Sequence, residues 1–249
     1  MVVIVMIAFV MPAGSVMGDT FIKQTNHTDA VEIMGRKQAA VDDTMSIWLK
    51  DGKSCMQSTD GKTYIFDPRT AELYMVDPTA ETYSVIPMDM TAIFDEAVEG
   101  ADEENKAEVD AARKMMESMV QSIKVTVTPT DETKTIKDWN TTKYVMNMTM
   151  AMGNTTTEMW VTEDIKIDMD IYKAVANSRM AAMPGYQKIL AETRKIKGIP
   201  VLSVSQTAVM GSTIKTTVEI LEVTEKEAPS GIFDIPSNYK EVDMMQVGQ

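Results

Sequence analysis

Four thioethers stand at alternate positions of one short run, where Met146, Met148, Met150 and Met152 are separated by Asn147, Thr149 and Ala151. In an extended chain alternate residues share a face and lie roughly 6.5 to 7 Å apart, so this run presents a soft, polarizable strip. Three chemistries suit such a strip. Methionine replaces leucine in an irregular core, flexible thioethers line sites that accept variable apolar ligands, and soft sulfur selects copper(I). The copper reading is the weakest of the three, because the chain has one histidine, His27, and one cysteine, Cys55, and neither lies in the run. The expectation is therefore of no metal and no cofactor.

Catalytic constellations are equally sparse. Hydrolysis by a nucleophile needs a base and an orienting group within reach of one another, and the base is most often histidine. Here everything would have to be built around His27 in the run Asn26-His27-Thr28-Asp29, which reads more simply as a strand-end histidine. Glu163, Asp164, Asp168 and Asp170 form an acidic cluster without the glycine and terminal glutamate of a calcium loop. Asp168 at that position suits a helix cap, and no glycine loop of phosphate-binding type is present. The chain is expected not to be an enzyme.

The elements that must position the methionine strip follow from hydrophobic period. From Thr20 to Ile86 short runs of period two alternate with turns: Phe21 to Asn26, Thr44 to Lys50, Ser54 to Ser58, Thr63 to Phe66, Leu73 to Val76 and Tyr83 to Ile86. Asp51-Gly52 and Asp60-Gly61 suit tight hairpins, while Asp67-Pro68 and Asp77-Pro78 suit longer turns. Met45, Ile47 and Leu49 fall on one face, so one side of this meander is expected to be buried. After Pro87 the period becomes 3.6. Met90, Ile93, Phe94, Ala97 and Val98 share one helical face, and Val109, Ala112, Met116, Met119, Val120 and Ile123 share a second, beyond Gly100.

Strands resume at Lys124 to Thr128, Thr141 to Met152 and Thr155 to Thr162. A helix is expected over Asp168 to Met183 and a short one over Tyr186 to Arg194. Strands at Val201 to Val209 and Thr213 to Val223 then lead to the terminal Gly231-Ile232-Phe233-Asp234-Ile235-Pro236 segment. The order predicts an α+β, β-rich fold: an unclosed antiparallel β half-barrel with helices packed on its concave face. Alternation then assigns the lining of a cavity to Met146, Met148, Met150, Met159, Val161, Val218 and Ile220, with Ile93 and Phe94 as a helical plug.

Residues 1–18 carry no charge and are apolar from Val2 to Met11, followed by Pro-Ala-Gly-Ser. This reads as a signal peptide cleaved near Gly18, although a basic first segment is missing. The run is shorter than the roughly 20 residues that span a bilayer. Residues 19–249 are then expected to form one domain, periplasmic or secreted, with no linker inside it. The formal net charge of -13 makes nucleic acids and anionic lipid surfaces poor partners for the body of the domain. A single cysteine excludes an intrachain disulfide.

Several segments together resemble a family of exported bacterial proteins of uncharacterised activity. They are Thr135-Ile136-Lys137-Asp138-Trp139-Asn140-Thr141-Thr142-Lys143-Tyr144, Glu158-Met159-Trp160-Val161, Ile196-Lys197-Gly198-Ile199-Pro200-Val201, and Phe233-Asp234-Ile235-Pro236 followed by Tyr239. In that family a late strand ends in Phe-x-Ile-Pro-x-x-Tyr. The family is similar to the lipoprotein-carrier superfamily of LolA and LolB type, whose fold is an unclosed half-barrel with helices in its mouth. The resemblance implies a non-enzymatic binder of lipid, an acyl chain or a lipoprotein-like hydrophobic ligand, with a transient envelope protein as a possible partner. Carriers use an arginine near the cavity, but no motif matches Arg36 or Arg69, and Cys55 lies too far from the chain start to bear an acceptor's lipid. The alternative is an envelope scaffold for protein interaction whose interior is filled by its own side chains.

Overall fold

The computed structural model describes residues 19–67, 70, 72–87, 103–150, 153–167 and 186–243. Strands β1 (Thr20–Thr28), β2 (Val31–Ile33), β3 (Arg36–Gln38), β4 (Val41–Lys50), β5 (Lys53–Gln57), β6 (Thr63–Asp67), β7 (Glu72–Asp77) and β8 (Thr82–Pro87) form the first half. Helix α1 (Glu103–Ser122) precedes β9 (Lys124–Ile136), β10 (Trp139–Met150) and β11 (Gly153–Thr162). Helix α2 (Tyr186–Thr193) precedes β12 (Ile199–Val209), β13 (Ser212–Glu225) and the short β14 (Lys240–Glu241). Twelve strands make one sheet in the order β14-β8-β7-β6-β5-β4-β1-β13-β12-β11-β10-β9, antiparallel except where β14 runs beside β8. The sheet does not close, which gives the expected half-barrel.

β1 joins the two halves. It pairs along its whole length with β4 on one side and β13 on the other, from Thr20↔Leu49 to Thr28↔Val41 and from Thr20↔Glu225 to Thr28↔Thr216. Bulges at Lys23/Gln24, Thr142/Tyr144 and Trp160/Val161 interrupt the ladders. Such bulges bend a strand and raise its local twist, which helps an open sheet curl.

Both faces of the meander are buried, whereas the sequence predicted one. On the inner face Ile22, Met45, Ile47, Leu49, Met56, Ile199, Val201 and Ile220 form a core against which Trp139, Ile165 and Ile167 pack. On the outer face Phe21, Trp48, Cys55, Ile65 and Val76 pack with Ala228, Ile232, Phe233, Ile235 and Tyr239. The C-terminal segment is therefore a strap laid across the back of the meander. Its Phe233-Asp234-Ile235-Pro236 motif lies in turns rather than ending a strand, which corrects the family-based expectation. Burial pushes the Cys55 thiol up to about 12, so it stays protonated and inert.

The strap is tied to the start of β1 by Asp19. One carboxylate oxygen of Asp19 accepts from the Ala228 amide at 2.8 Å and from Lys50 Nζ at 2.9 Å. The amide hydrogen bond and then the lysine hold this carboxyl below the usual range.

β9 runs eight residues beyond its expected end at Thr128, through Pro129. A proline is tolerated there because β9 is the edge of the sheet and its free side needs no donor. Asp131, Glu132 and Lys134 charge this edge, which discourages pairing with another chain. The β2–β3 hairpin was not anticipated. The helix expected over 168–183, the one containing Ile93 and Phe94, and residues 1–18 lie outside the described residues.

Gly198 marks the entry to β12 with φ +113, and a Cβ there would stand 2.2 Å from the carbonyl oxygen of Thr162. Gly61, at φ +86, meets nothing nearer than 3.9 Å. Gly61→Ala should cost only about 1–2 kcal/mol of left-handed strain, whereas Gly198→Ala adds a backbone clash and should cost distinctly more. Urea unfolding of the two variants checks the order.

Candidate functional site

The inner face between β9 and β4 can be followed row by row from the registers. One row reads Val127, Met146, Thr157, Ser205, Thr216, Thr28. The next toward the β10–β11 turn reads Val125, Met148, Thr155, Thr207, Ile214, and the next in the other direction reads Tyr144, Met159, Ser203, Val218, Asn26. Directly opposite residues of an antiparallel pair point to the same side. Met146, Met148, Met150, Met159, Val161, Val218 and Ile220 therefore share one face, as their alternation predicted.

Their environments differ. Met159 and Val161 are buried with Val127, Tyr144 and Ile196, and Ile220 is buried in the core of the meander. Met146 packs on the edge of the first cluster, while Met148, Met150 and Val218 are half-buried. The predicted lining thus divides into residues that the protein's own packing consumes and a set, Met146, Met148, Met150 and Val218, that it leaves partly uncovered.

Beside the half-covered methionines, in the rows of Met146 and Met148, runs a belt of hydroxyls that sequence reading missed. Thr155 and Thr207 hydroxyls lie 3.0 Å apart, those of Thr157 and Ser205 2.9 Å, and those of Thr28 and Thr216 3.3 Å. Thr155 and Thr157 are buried. The belt is neutral and largely self-satisfied. Beside it, the side-chain oxygen Oδ1 of Asn26 is buried without a hydrogen-bond donor, and an unmatched buried acceptor of this kind is served by a water or a ligand hydrogen. The signal was present as Ser203, Ser205 and Thr207 alternating with Leu202, Val204 and Gln206, a strand with its more polar side turned inward.

Helix α2 closes one side of this face. Its Glu192 carboxylate accepts from the Val127 amide at 2.9 Å, which satisfies a donor on the edge strand. Lys195 and then that amide hold Glu192 below the usual carboxylate range. Lys188 Nζ donates to the Val120 carbonyl at 2.8 Å, capping the end of α1 and fixing one helix against the other. At the opposite end of the sheet a cleft of about 240 Å³ is bordered by Trp139, Ile165, Ile167 and Val223. Its volume is below the roughly 300 Å³ at which small-molecule sites begin.

Among the described residues no three His, Cys, Asp or Glu side chains gather as a metal site. Asp164 is occupied structurally, accepting from the amide of Asn140 at 2.7 Å; Asp168, Asp170 and Arg69 lie outside the described residues. Arg36 is exposed on β3. No described helix is long and apolar enough to cross a membrane.

His27 faces outward near the end of β1 and bridges two carboxylates. Its Nδ1 is 2.7 Å from Asp42 and its Nε2 3.0 Å from Asp29, and Lys215 stands 4.0 Å from Asp29. Only the imidazolium can donate from both nitrogens. The hydrogen bond to Asp42, helped by Asp29, holds the pKa above its ordinary value. A raised pKa stabilises the fold fully below the unfolded value and less as pH rises through the folded one. His27→Gln should lower the urea midpoint at about pH 5.5 and leave it unchanged by about pH 9.

A search of curated proteins finds no match. Among solved structures, the chain is similar to a candidate outer membrane lipoprotein-sorting protein domain from Vibrio parahaemolyticus, with 6% identity, a TM-score of 0.35, and coverage of 87% of this chain and 89% of that one. It is also similar to a DUF1329 family protein from Desulfovibrio piger, with 8% identity, a TM-score of 0.31, and coverage of 88% and 91%. Likeness at this level says nothing of what this chain binds. The family described as "Domain of unknown function (DUF4412)" matches residues 33–239, a span that contains every motif quoted above, and the chain belongs to that family.

Proposed function

We propose that this protein is a non-enzymatic binder of lipid or of an acyl-bearing ligand, exported to the cell envelope, and that the ligand lies on the inner face against Met146, Met148, Met150 and Val218. The observation that carries this reading is the unequal use of one face. Met159, Val161 and Ile220 are consumed by the core, while the methionines of β10 stay half-buried beside a neutral hydroxyl belt. An acyl chain against the thioethers with its ester or amide head at the belt would match both surfaces.

The energetics permit this without a fixed charge. Each buried methylene contributes about 0.8 kcal/mol, so one long chain supplies roughly 10 kcal/mol before the costs of ordering both partners. Unbranched methionines adapt to chains of different length and saturation better than branched side chains do. The plug assigned to Ile93 and Phe94 belongs to the same proposal. The neutral belt argues against ligands that need a charge partner, including free nucleotides and metal complexes.

Native mass spectrometry with lipid extraction, on protein isolated from a bacterial envelope, tests the proposal. Fatty acid or phospholipid should accompany the parent protein and be lost on Met148→Glu, which sets a charge against the strip. A parent that carries no lipid and binds no fluorescent acyl probe would favour the filled scaffold instead.

A further inference from the structure

Three tight turns share one backbone solution, two in the large sheet and one in the separate β2–β3 hairpin. Asp51-Gly52, Met34-Gly35 and Met210-Gly211 each link two strands with both central residues at positive φ: 47° and 83°, 51° and 77°, 48° and 81°. Such turns favour asparagine or aspartate followed by glycine, because a left-handed conformation strains other side chains. The β4–β5 turn follows that rule. The other two place a methionine in the strained position and expose it, Met34 by 80% and Met210 by 62%. Strain held in an exposed apolar side chain gains nothing for the fold, and such strain concentrates where a protein makes contact with something else.

These two methionines belong to one rim. Ser212, directly after Met210-Gly211, donates to the carbonyl of Glu32 at 2.5 Å, so the β2–β3 hairpin lies against the start of β13. Val41, 59% exposed, pairs with Thr28 at the same end of the sheet, and Met150 pairs with Gly153, which pairs in turn with Val209. The apolar strip of β10 therefore runs out toward the rim. Arg36 and Lys37, immediately after the Met34-Gly35 turn, are exposed and form no ion pair among the described residues.

From this arrangement we propose that the rim made by the Met34-Gly35 and Met210-Gly211 turns is the surface by which the protein rests on a phospholipid bilayer. The methionines enter the boundary between headgroups and acyl chains, and Arg36 and Lys37 reach lipid phosphates, the combination of apolar and cationic groups that holds interfacial elements on membranes. The bilayer is a zwitterionic one. A body with a net charge of -13 is repelled by anionic lipid, whereas phosphatidylcholine offers phosphates without net surface charge. Continuity with the β10 strip favours lipid over a protein partner, since the surface that meets the bilayer leads directly to the face proposed to hold an acyl chain. The contact itself does not depend on that proposal: vesicle binding and uptake of a soluble acyl probe are separate readouts.

Asparagine is favoured over methionine in both turns, so Met34→Asn/Met210→Asn should fold at least as well as the parent in urea unfolding. Its co-sedimentation with phosphatidylcholine vesicles should nevertheless weaken on the order of tenfold. An environment-sensitive fluorophore on Met34→Cys reports the contact directly, because buried Cys55 does not compete for the label. Fluorescence at position 34 should rise with vesicles, and the same label on Thr156→Cys, on the outer face, should not respond. Equal vesicle binding by parent and double variant, or no response at position 34, would overturn the assignment.

Discussion

The register of β1 is the constraint on which the rest depends. As the first strand of the sheet in sequence it lies in the middle of it in space, paired with β4 and with β13. Without that double pairing the meander and the later hairpins would be two small sheets, each with a raw edge. With it, Ile22 of β1, Met45 and Ile47 of β4 and Ile220 of β13 meet on one side, and Phe21 and Trp48 meet on the other with ring centroids 4.6 Å apart. A slip of one residue would exchange the two faces, carrying Asn26 outward and His27 inward. Phe21 and Ile22 are buried on opposite faces at the start of this strand, which makes such a slip costly.

Burial of both meander faces also explains how the other half of the inner face remains unfinished. The strap and the inner core supply two apolar clusters independent of the methionines on β10. A domain whose stability rests there tolerates half-covered side chains elsewhere, and binding surfaces are drawn from such less consolidated regions. The hydroxyl belt keeps this half of the face polar at little energetic cost, because each hydroxyl pair satisfies itself.

Strands with clean alternation and Asp-Gly or Asp-Pro turns were legible in the sequence, as was the common face of the methionines, because both follow from a period of two. The β2–β3 hairpin was not, since Met34-Gly35 is not a favoured turn pair and the flanking strands have three residues each. The extension of β9 was hidden by Pro129, which argues against a strand unless the strand is known to be an edge. Burial of Trp48, Cys55 and Ile65 on the outer face depends on a strap about 180 residues later in the chain, a tertiary effect that no local pattern carries. The same holds for the site: alternation gives the face of Met159, Val161 and Ile220, but only packing shows that the core uses them. The hydroxyl belt emerges from the pairing of four separate strands, β11 with β12 and β1 with β13.

Methionine methyl groups report directly on the central claim that one face is divided between core and ligand surface. In protein labelled with ¹³C at the methionine methyls, titration with a long-chain acyl probe should shift the Met146, Met148 and Met150 resonances and leave Met45 and Met56 in place, since the last two are sealed in the meander core. Unmoved β10 methyls at saturating probe would contradict the account, as would shifts confined to Met34 and Met210.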